Sequence, residues 1–386
     1  MKVWLFDIMM WPHPGEVRTT YPVPGRLYDR ELGRAFYNEH LRFFIRAEEL
    51  GYDAVGFSEH HYGTNGLCPS PNVMMAAVAS RTSRIRLASM GNCLPMHGHP
   101  VRVAEELAML DNLSNGRVIS GLIRGGFLEN YAYNIDVEES RGRFEEAWEL
   151  IVRAWTAEEP FEWRGKYFNY EAVSILPRPV QQPHPPMVMA GHTPQSVEWA
   201  ARHRVPLAAS FGPTESLART FDYYREYART ECGWTPGPEH CMISRQVYVA
   251  ETNEQARAEA EQHAMNFYRE SPVLRRFDGK LEQLRQAMMT ERGLSYKKGD
   301  EGHKPPASRG ELTFERFQRD GFCIIGDPDY VIEQVRAQSK ALGAGTLLVY
   351  LPFGTLSVAQ ATRSLELFSR EVLPVLREES GATGPA

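Results

Sequence analysis

Ile85-Arg86-Leu87-Ala88-Ser89-Met90, then Val101-Arg102-Val103-Ala104-Glu105-Glu106-Leu107-Ala108-Met109-Leu110-Asp111-Asn112-Leu113, then Val118-Ile119-Ser120-Gly121-Leu122 follow one another within forty residues. The first and last runs are short, apolar and bounded by Gly, Asn and Pro, which reads as buried strand. The middle run, 101–113, mixes apolar residues with Arg102, Glu105, Glu106 and Asp111, which reads as amphipathic helix. A strand, a crossover helix and a strand make a βαβ unit, whose strands are parallel and need helices on the sheet's outer face.

The same alternation runs through the chain. Strand-like segments fall at 3–9, 54–58, 85–90, 118–122, 187–190, 207–210, 243–250 and 346–351, and amphipathic segments at 31–50, 101–113, 143–155, 196–202, 217–230 and 331–342. Eight strands separated mostly by helices in 386 residues predict an α/β fold, a (β/α)8 TIM barrel with insertions. A doubly wound open sheet is the alternative, but it carries a glycine fingerprint after its first strand. Here that place holds Met9-Met10-Trp11-Pro12-His13-Pro14. Residues 1–380 read as one domain. Two segments interrupt the alternation: 158–186, aromatic and Pro-rich, expected as a hairpin and loop, and 275–319, polar and charged. The tail 381–386 is expected to be flexible.

Composition narrows the function classes. Lys plus Arg number 43 against 49 Asp plus Glu, a net charge of -6, which argues against nucleic-acid binding. No stretch approaches 18 consecutive apolar residues, so no membrane span is expected, and the N-terminus lacks the pattern of a signal peptide. The five cysteines, Cys68, Cys93, Cys232, Cys241 and Cys323, are widely spaced with no CxxC, which argues against a disulfide framework or zinc thiolates and for a reducing cytoplasm.

A barrel of this kind carries its chemistry just past the C-terminal strand ends. Strand 2 ends in Ser58-Glu59-His60-His61, with general-base capacity near neutral pH from His60 and His61. Strand 3 leads to Asn92, able to hydrogen-bond a planar heterocycle, and to His97 and His99, read as ordinary loop residues in preference to a metal pair. Strand 4 leads to Arg124-Gly125-Gly126, where an arginine among small residues suits a phosphate or an internal salt bridge. Strand 5 leads to Gly191-His192-Thr193-Pro194-Gln195-Ser196. Thr193 reads as an N-cap with Pro194 opening the helix, an arrangement that serves either as an ordinary capped end or as an anion site. Strands 4 and 5 adjoin in a barrel, so both groups can hold one phosphate. The aromatic residues Trp11, Tyr62, Phe127, Tyr131, Tyr133 and Phe353 point to a flat or greasy substrate, or pack loops.

Ser58-Glu59-His60-His61, the run from Ala104 to Arg117, Arg124-Gly125, Glu198-Trp199-Ala200-Ala201 and Ile325-Gly326-Asp327-Pro328 resemble the bacterial luciferase-like flavin monooxygenases over about residues 1–375. The resemblance implies reduced FMN supplied by a separate NAD(P)H:flavin reductase. Dioxygen, the co-substrate, would add at flavin C4a to give a (hydro)peroxide that oxidises a small organic molecule. It implies that Arg124 grips the FMN phosphate with help from His192, Thr193 and Ser196, and that His60 is the base near the flavin. It also implies a homodimer through helices beside strands 2 and 3, and a mobile lid at 275–319, between strands 7 and 8. The chain departs from the luciferase α chain at Ile123, where that family member has a cysteine, and at His192, where acidic or serine residues are frequent. These departures argue against light emission. Alternatives are an F420-dependent oxidoreductase of the same fold, a metal-dependent barrel hydrolase built on His60, His61, His97 and His99, and a non-catalytic barrel subunit.

Overall fold

The computed structural model describes residues 1–13, 20–269, 279–294 and 313–378. Its strands are β1 (Lys2–Asp7), β2 (Ala54–Phe57), β3 (Arg86–Ser89), β4 (Asn92–Cys93), β5 (Val118–Ile123), β6 (Phe161–Arg164), β7 (Asn169–Val173), β8 (Met187–Ala190), β9 (Leu207–Ala209), β10 (Cys241–Val249), β11 (Cys323–Gly326) and β12 (Thr346–Tyr350). The order β12, β1, β2, β3, β5, β8, β9, β10 runs parallel throughout, and β10 pairs again with β12 to close an eight-stranded barrel. Each expected strand forms, with its ends displaced by two residues at most.

The helices are α1 (Arg30–Glu49), α2 (Pro71–Ala79), α3 (Pro100–Leu113), α4 (Phe127–Ala132), α5 (Val137–Thr156), α6 (Pro194–Arg202), α7 (Thr214–Thr230), α8 (Asn253–Arg269), α9 (Gly279–Leu294), α10 (Phe314–Arg319), α11 (Pro328–Leu342), α12 (Val358–Leu367) and α13 (Leu373–Glu378). Helix α1 shows why such segments form. Asp29 caps it by accepting from the N–H groups of Glu31 and Leu32 at 2.9 and 3.0 Å. Phe36, His40, Phe43, Phe44 and Ala47 form its buried face. Phe44 meets Phe57 of β2 with ring centroids 4.7 Å apart, so Phe57 faces the helical layer. Burying a side chain of this size is worth about 1.5–3 kcal/mol. Asp7 likewise faces outward, its Oδ2 accepting from His40 Nδ1 at 2.6 Å while its Oδ1 accepts from Met9 N–H at 2.6 Å. Side chains alternate along a strand, so Phe6 and its register neighbours Gly56, Tyr350 and, through β12, Gln246 face the barrel interior.

One seam in the wall is unusually tight. A Cβ on Gly121 of β5 would lie 2.0 Å from the carbonyl oxygen of Ser89, and one on Gly91 would lie 2.3 Å from that of Gly121. Only glycine fits this approach. The Ser89 hydroxyl completes it, accepting from Gly121 N–H at 2.8 Å and donating to Gly121 C=O at 3.1 Å.

The segment 158–186 contains the expected hairpin, β6 antiparallel to β7. Two strands were not expected. β4 extends the wall beside β5, and β11 pairs with the upper half of β10. In the segment 275–319, α9 packs on α4, with Leu281 and Phe127 buried among Tyr21, Leu128, Tyr131, Val137 and Leu284. The described part of that segment therefore has apolar anchors that its polar composition concealed. Its centre, 295–312, and the tail 381–386 lie outside the described residues. Among the described residues, no helix is long and apolar enough to cross a membrane.

Candidate functional site

The strand ends meet at one mouth of the barrel. Past β2, Glu59 is buried and works as a hub. Its Oε2 accepts from Cys93 N–H at 2.6 Å, while its Oε1 lies 3.1 Å from His61 Nε2 and 3.6 Å from His97 Nε2. Burial alone would raise its pKa. The hydrogen bonds from His61 and the Cys93 N–H, with His97 close by, overcome that and hold it at about 2. A carboxylate held so low stays ionised at neutral pH and is no proton acceptor there. His61 has Glu59 on one side and the Tyr133 hydroxyl, 3.2 Å from its Nδ1, on the other.

His60 differs. Its side chain is 32% exposed against 6% for His61. Its Nδ1 lies 3.0 Å from Oε1 of the buried Glu129 on α4. An ionised carboxylate only accepts, so Nδ1 carries the hydrogen, which in the neutral ring leaves the lone pair on Nε2. Of the two candidate histidines, His60 has the accessible basic nitrogen and His61 is enclosed.

Past β3, Asn92 is buried and its Nδ2 has no hydrogen-bond partner, a donor left for a bound group. Cys93 beside it pairs with Ile123 of β5, and its Sγ would lie 3.3 Å from a Cβ on Gly125. The thiol that the sequence lacks before Arg124 thus reaches the same loop from the neighbouring strand. Burial, with Glu59 and Glu129 nearby, pushes that thiol well up, so it stays protonated.

Arg124 follows β5, and its Nε donates to Ser140 Oγ on α5 at 2.9 Å. Gly121 and Val188 are register neighbours, and Arg124 and Gly191 each stand three residues further along. Thr193 caps α6, its Oγ1 accepting from Ser196 N–H at 3.3 Å and lying 2.9 Å from Ser196 Oγ. Pro194 opens the helix as expected. A Cβ on Gly191 would lie 2.8 Å from Ser196 Cβ, so the turn from His192 to Ser196 is open only because residue 191 is glycine. The arginine, the helix N-terminus and the unpartnered Asn92 amide thus lie on neighbouring strand ends. Their donors fit a group with a phosphate at one end and a hydrogen-bonding ring at the other.

The far wall is aromatic. The Tyr350 ring centroid lies 5.5–6.2 Å from those of Phe6, Phe211, Phe267 and Phe353, and Phe211 and Phe267 are 5.3 Å apart. Gln246, its inward-facing neighbour, is buried with both amide atoms unpartnered. Among the other aromatic candidates, Trp11 packs a loop against Tyr28 and Phe36, and Tyr62 stacks on Tyr133 at an interplanar angle of 9°. His99 lies elsewhere, on the Tyr170 hydroxyl. Among the described residues, no group of three or more His, Cys, Asp or Glu is arranged to hold a metal ion.

The histidines, Asn92, Arg124 and the α6 turn were candidates by residue type. Glu129, beside His60, Ser140, beside Arg124, and the buried Gln246 carried no such signal, and Glu59 no separate role.

This chain resembles a known family and several known proteins. A family model described as luciferase-like monooxygenase matches residues 14–345. The oxygenase component of a flavin-dependent trigonelline monooxygenase from Acinetobacter baylyi is 26% identical, over 92% of this chain and 93% of that protein. Among solved structures, the monooxygenase RslO1 from Streptomyces bottropensis is 28% identical with a TM-score of 0.73, over 97% of this chain and 99% of its own. The oxygenating constituent of Pseudomonas putida 3,6-diketocamphane monooxygenase, a type II Baeyer-Villiger enzyme solved with FMN, shares the fold at 22% identity and a TM-score of 0.74, over 97% and 98%.

Proposed function

The chain belongs to the luciferase-like monooxygenase family, and from that premise we propose that it uses reduced FMN and dioxygen to oxygenate a small organic substrate. The observation that carries this reading is the placement of Arg124 and of Gly191, which leads into α6, each three residues past the register pair Gly121–Val188 of adjacent strands, on the same mouth as the part-exposed His60. When bound, reduced FMN supplies the two electrons that activate dioxygen. The protein's part follows from its own groups. Arg124, Thr193, Ser196 and the N–H groups around Gly191 and His192 would hold the phosphate, and Asn92 Nδ2 would donate to the ring. His60 Nε2 would accept and return a proton, with His61 as a fixed neighbour. The aromatic wall of Phe211, Phe267, Tyr350 and Phe353 would exclude water and seat an apolar substrate.

A relative named as an oxygenase component supports a separate NAD(P)H:flavin reductase as partner, and five unpaired cysteines support a cytoplasmic location. The decisive measurement is dioxygen consumption and product formation by the purified protein with FMN, NADH and a flavin reductase, over a panel of organic substrates. Turnover with reduced F420 and none with reduced FMN would replace this reading by hydride transfer.

The homodimer is carried by exposed apolar side chains on the helices after strands 2 and 3: Val73 of α2 is 67% exposed, Met109 and Leu113 of α3 55% and 63%. Sedimentation equilibrium is expected to give about twice the 43.9 kDa chain mass, and Val73→Asp with Leu113→Asp is expected to give the monomer. A wild-type monomer would remove the dimer.

Residues 275–319 are proposed as the lid, with α9 on α4 as its fixed end. Replacing residues 297–308 by a short Gly-Ser link is expected to preserve flavin binding and divert reducing equivalents to hydrogen peroxide. Unchanged coupling of NADH oxidation to product would show that the segment is no lid.

A further inference from the structure

Glu129 is the buried acid that the reading above does not use. It sits in α4, five residues after Arg124, and its two oxygens serve different elements. Oε1 takes His60 Nδ1 at 3.0 Å from the β2 end, and Oε2 accepts from Gly126 N–H at 3.0 Å within the loop that carries Arg124. The glycines make this possible: a Cβ on Gly126 would lie 2.9 Å from Oε2, and Gly125 has a φ of +78°. Burial would raise the carboxyl's pKa, but the hydrogen bond from His60, with the N–H groups of Glu129 and Gly126, keeps it lowered. The other titratable groups that face Glu129 are Tyr21, from the loop after β1, and Cys93, on β4. Both remain protonated, their own groups pushed up chiefly by burial. Glu59 and His61 flank His60 in the chain but are engaged with each other.

We propose that Glu129 is a positioning residue that fixes the tautomer of His60, holding hydrogen on Nδ1 so that Nε2 is the proton acceptor, and clamps the base to the Arg124 loop. This rests on the reading of His60 as the base. The physical ground is that a carboxylate can only accept, so the ring cannot turn its Nδ1 lone pair toward Glu129. The same oxygen pair ties the base to the loop proposed to hold the phosphate, so the two are placed by one side chain.

Glu129→Gln is the informative change. Its amide oxygen can still accept from Gly126 N–H, which preserves the loop, while its NH2 now faces His60 and favours the opposite tautomer. In the flavin-free protein, imidazole 15N shifts followed up the pH scale until the ring is neutral are expected to show hydrogen on Nδ1 and a bare Nε2, and the reverse in Glu129→Gln. Loaded with reduced FMN and mixed with dioxygen, the variant is expected to lose at least about 10-fold in rate, the lower end for carboxylates that orient a histidine, and at most about 10⁴-fold, the loss when a catalytic histidine is held in the wrong tautomer. The acid limb of its pH-rate profile is expected to move, and reduced FMN affinity to stay within about threefold, since one N–H acceptor is retained. In a His60→Ala background the same change is expected to add nothing, because the two act as one unit.

A wild-type neutral ring with its hydrogen on Nε2 overturns the proposal, and needs no variant to fold. So does a Glu129→Gln rate and pH profile equal to wild type while His60→Ala is impaired, an outcome that leaves the base reading standing. A loss explained entirely by weaker FMN binding also overturns it. Full activity in His60→Ala sinks the base reading itself.

Discussion

Replacing His60 by alanine is expected to leave the barrel folded and reduced FMN bound, yet lower turnover by about 10²–10⁴-fold, the range for loss of a positioned general base. Retention of the fold follows from the position of the side chain, a third exposed and attached by one hydrogen bond. The cofactor contacts proposed for Arg124, Asn92 and α6 are not made by His60, so KM for the flavin should hardly move. His61→Ala is the control. It breaks the contact between Glu59 and Tyr133 across the ring, so its effect should appear as lost stability, with a smaller loss of rate. The measurement is steady-state turnover beside an anaerobic flavin titration for each variant. Normal turnover in His60→Ala with the loss in His61→Ala would exchange the roles. Normal turnover in both would remove the histidine pair from the mechanism.

Arg124→Ala is expected to weaken binding of reduced FMN by about 2–3 kcal/mol, the scale of charge-assisted hydrogen bonds to a phosphate. That corresponds to a dissociation constant raised about 30–160-fold, at 1.36 kcal/mol per decade. The tether from Nε to Ser140 Oγ at 2.9 Å holds the guanidinium plane, so the arginine is preorganised and little side-chain entropy is lost on binding. Titration with reduced riboflavin, which lacks the phosphate, separates the causes. Wild type and Arg124→Ala should bind it equally. An unchanged dissociation constant for FMN would refute the assignment, and an equal loss for riboflavin would move Arg124 from the phosphate to the ring.

The barrel was legible because its signals are local. Each strand is a short apolar run with a turn residue nearby, and α3, α5 and α7 show their buried faces at helical spacing. β11 escaped because Cys323–Gly326 is only four residues long, next to a segment dominated by charge. The histidines and Arg124 stood out by residue type at strand ends. Glu129 did not, because its partner His60 is 69 positions away and a glutamate in a short helix looks like surface. Gln246 was hidden for another reason. All nine residues of β10 are buried, so no alternation of polar and apolar residues marks which side faces the interior. Arg245 beside it turns outward to Gln338 at 2.6 Å, and only the closed barrel distinguishes the two.

The glycine seam between β3 and β5 bears on how this enzyme can be re-engineered. Any side chain at Gly91 or Gly121 would collide with main-chain oxygen atoms 2.3 and 2.0 Å away, and backbone cannot swing aside as a rotamer can. Variant libraries that randomise this seam would spend most of their members on misfolded barrels. The opposite rim tolerates more: Phe211 is 39% exposed, and substitutions there exchange one side-chain surface for another. Directed evolution of substrate range should therefore draw its diversity from the β9 and β10 ends, with Gly354 past β12, where a Cβ would lie 2.0 Å from the His263 carbonyl oxygen, and the β3–β5 side kept constant as the frame on which each new pocket is built.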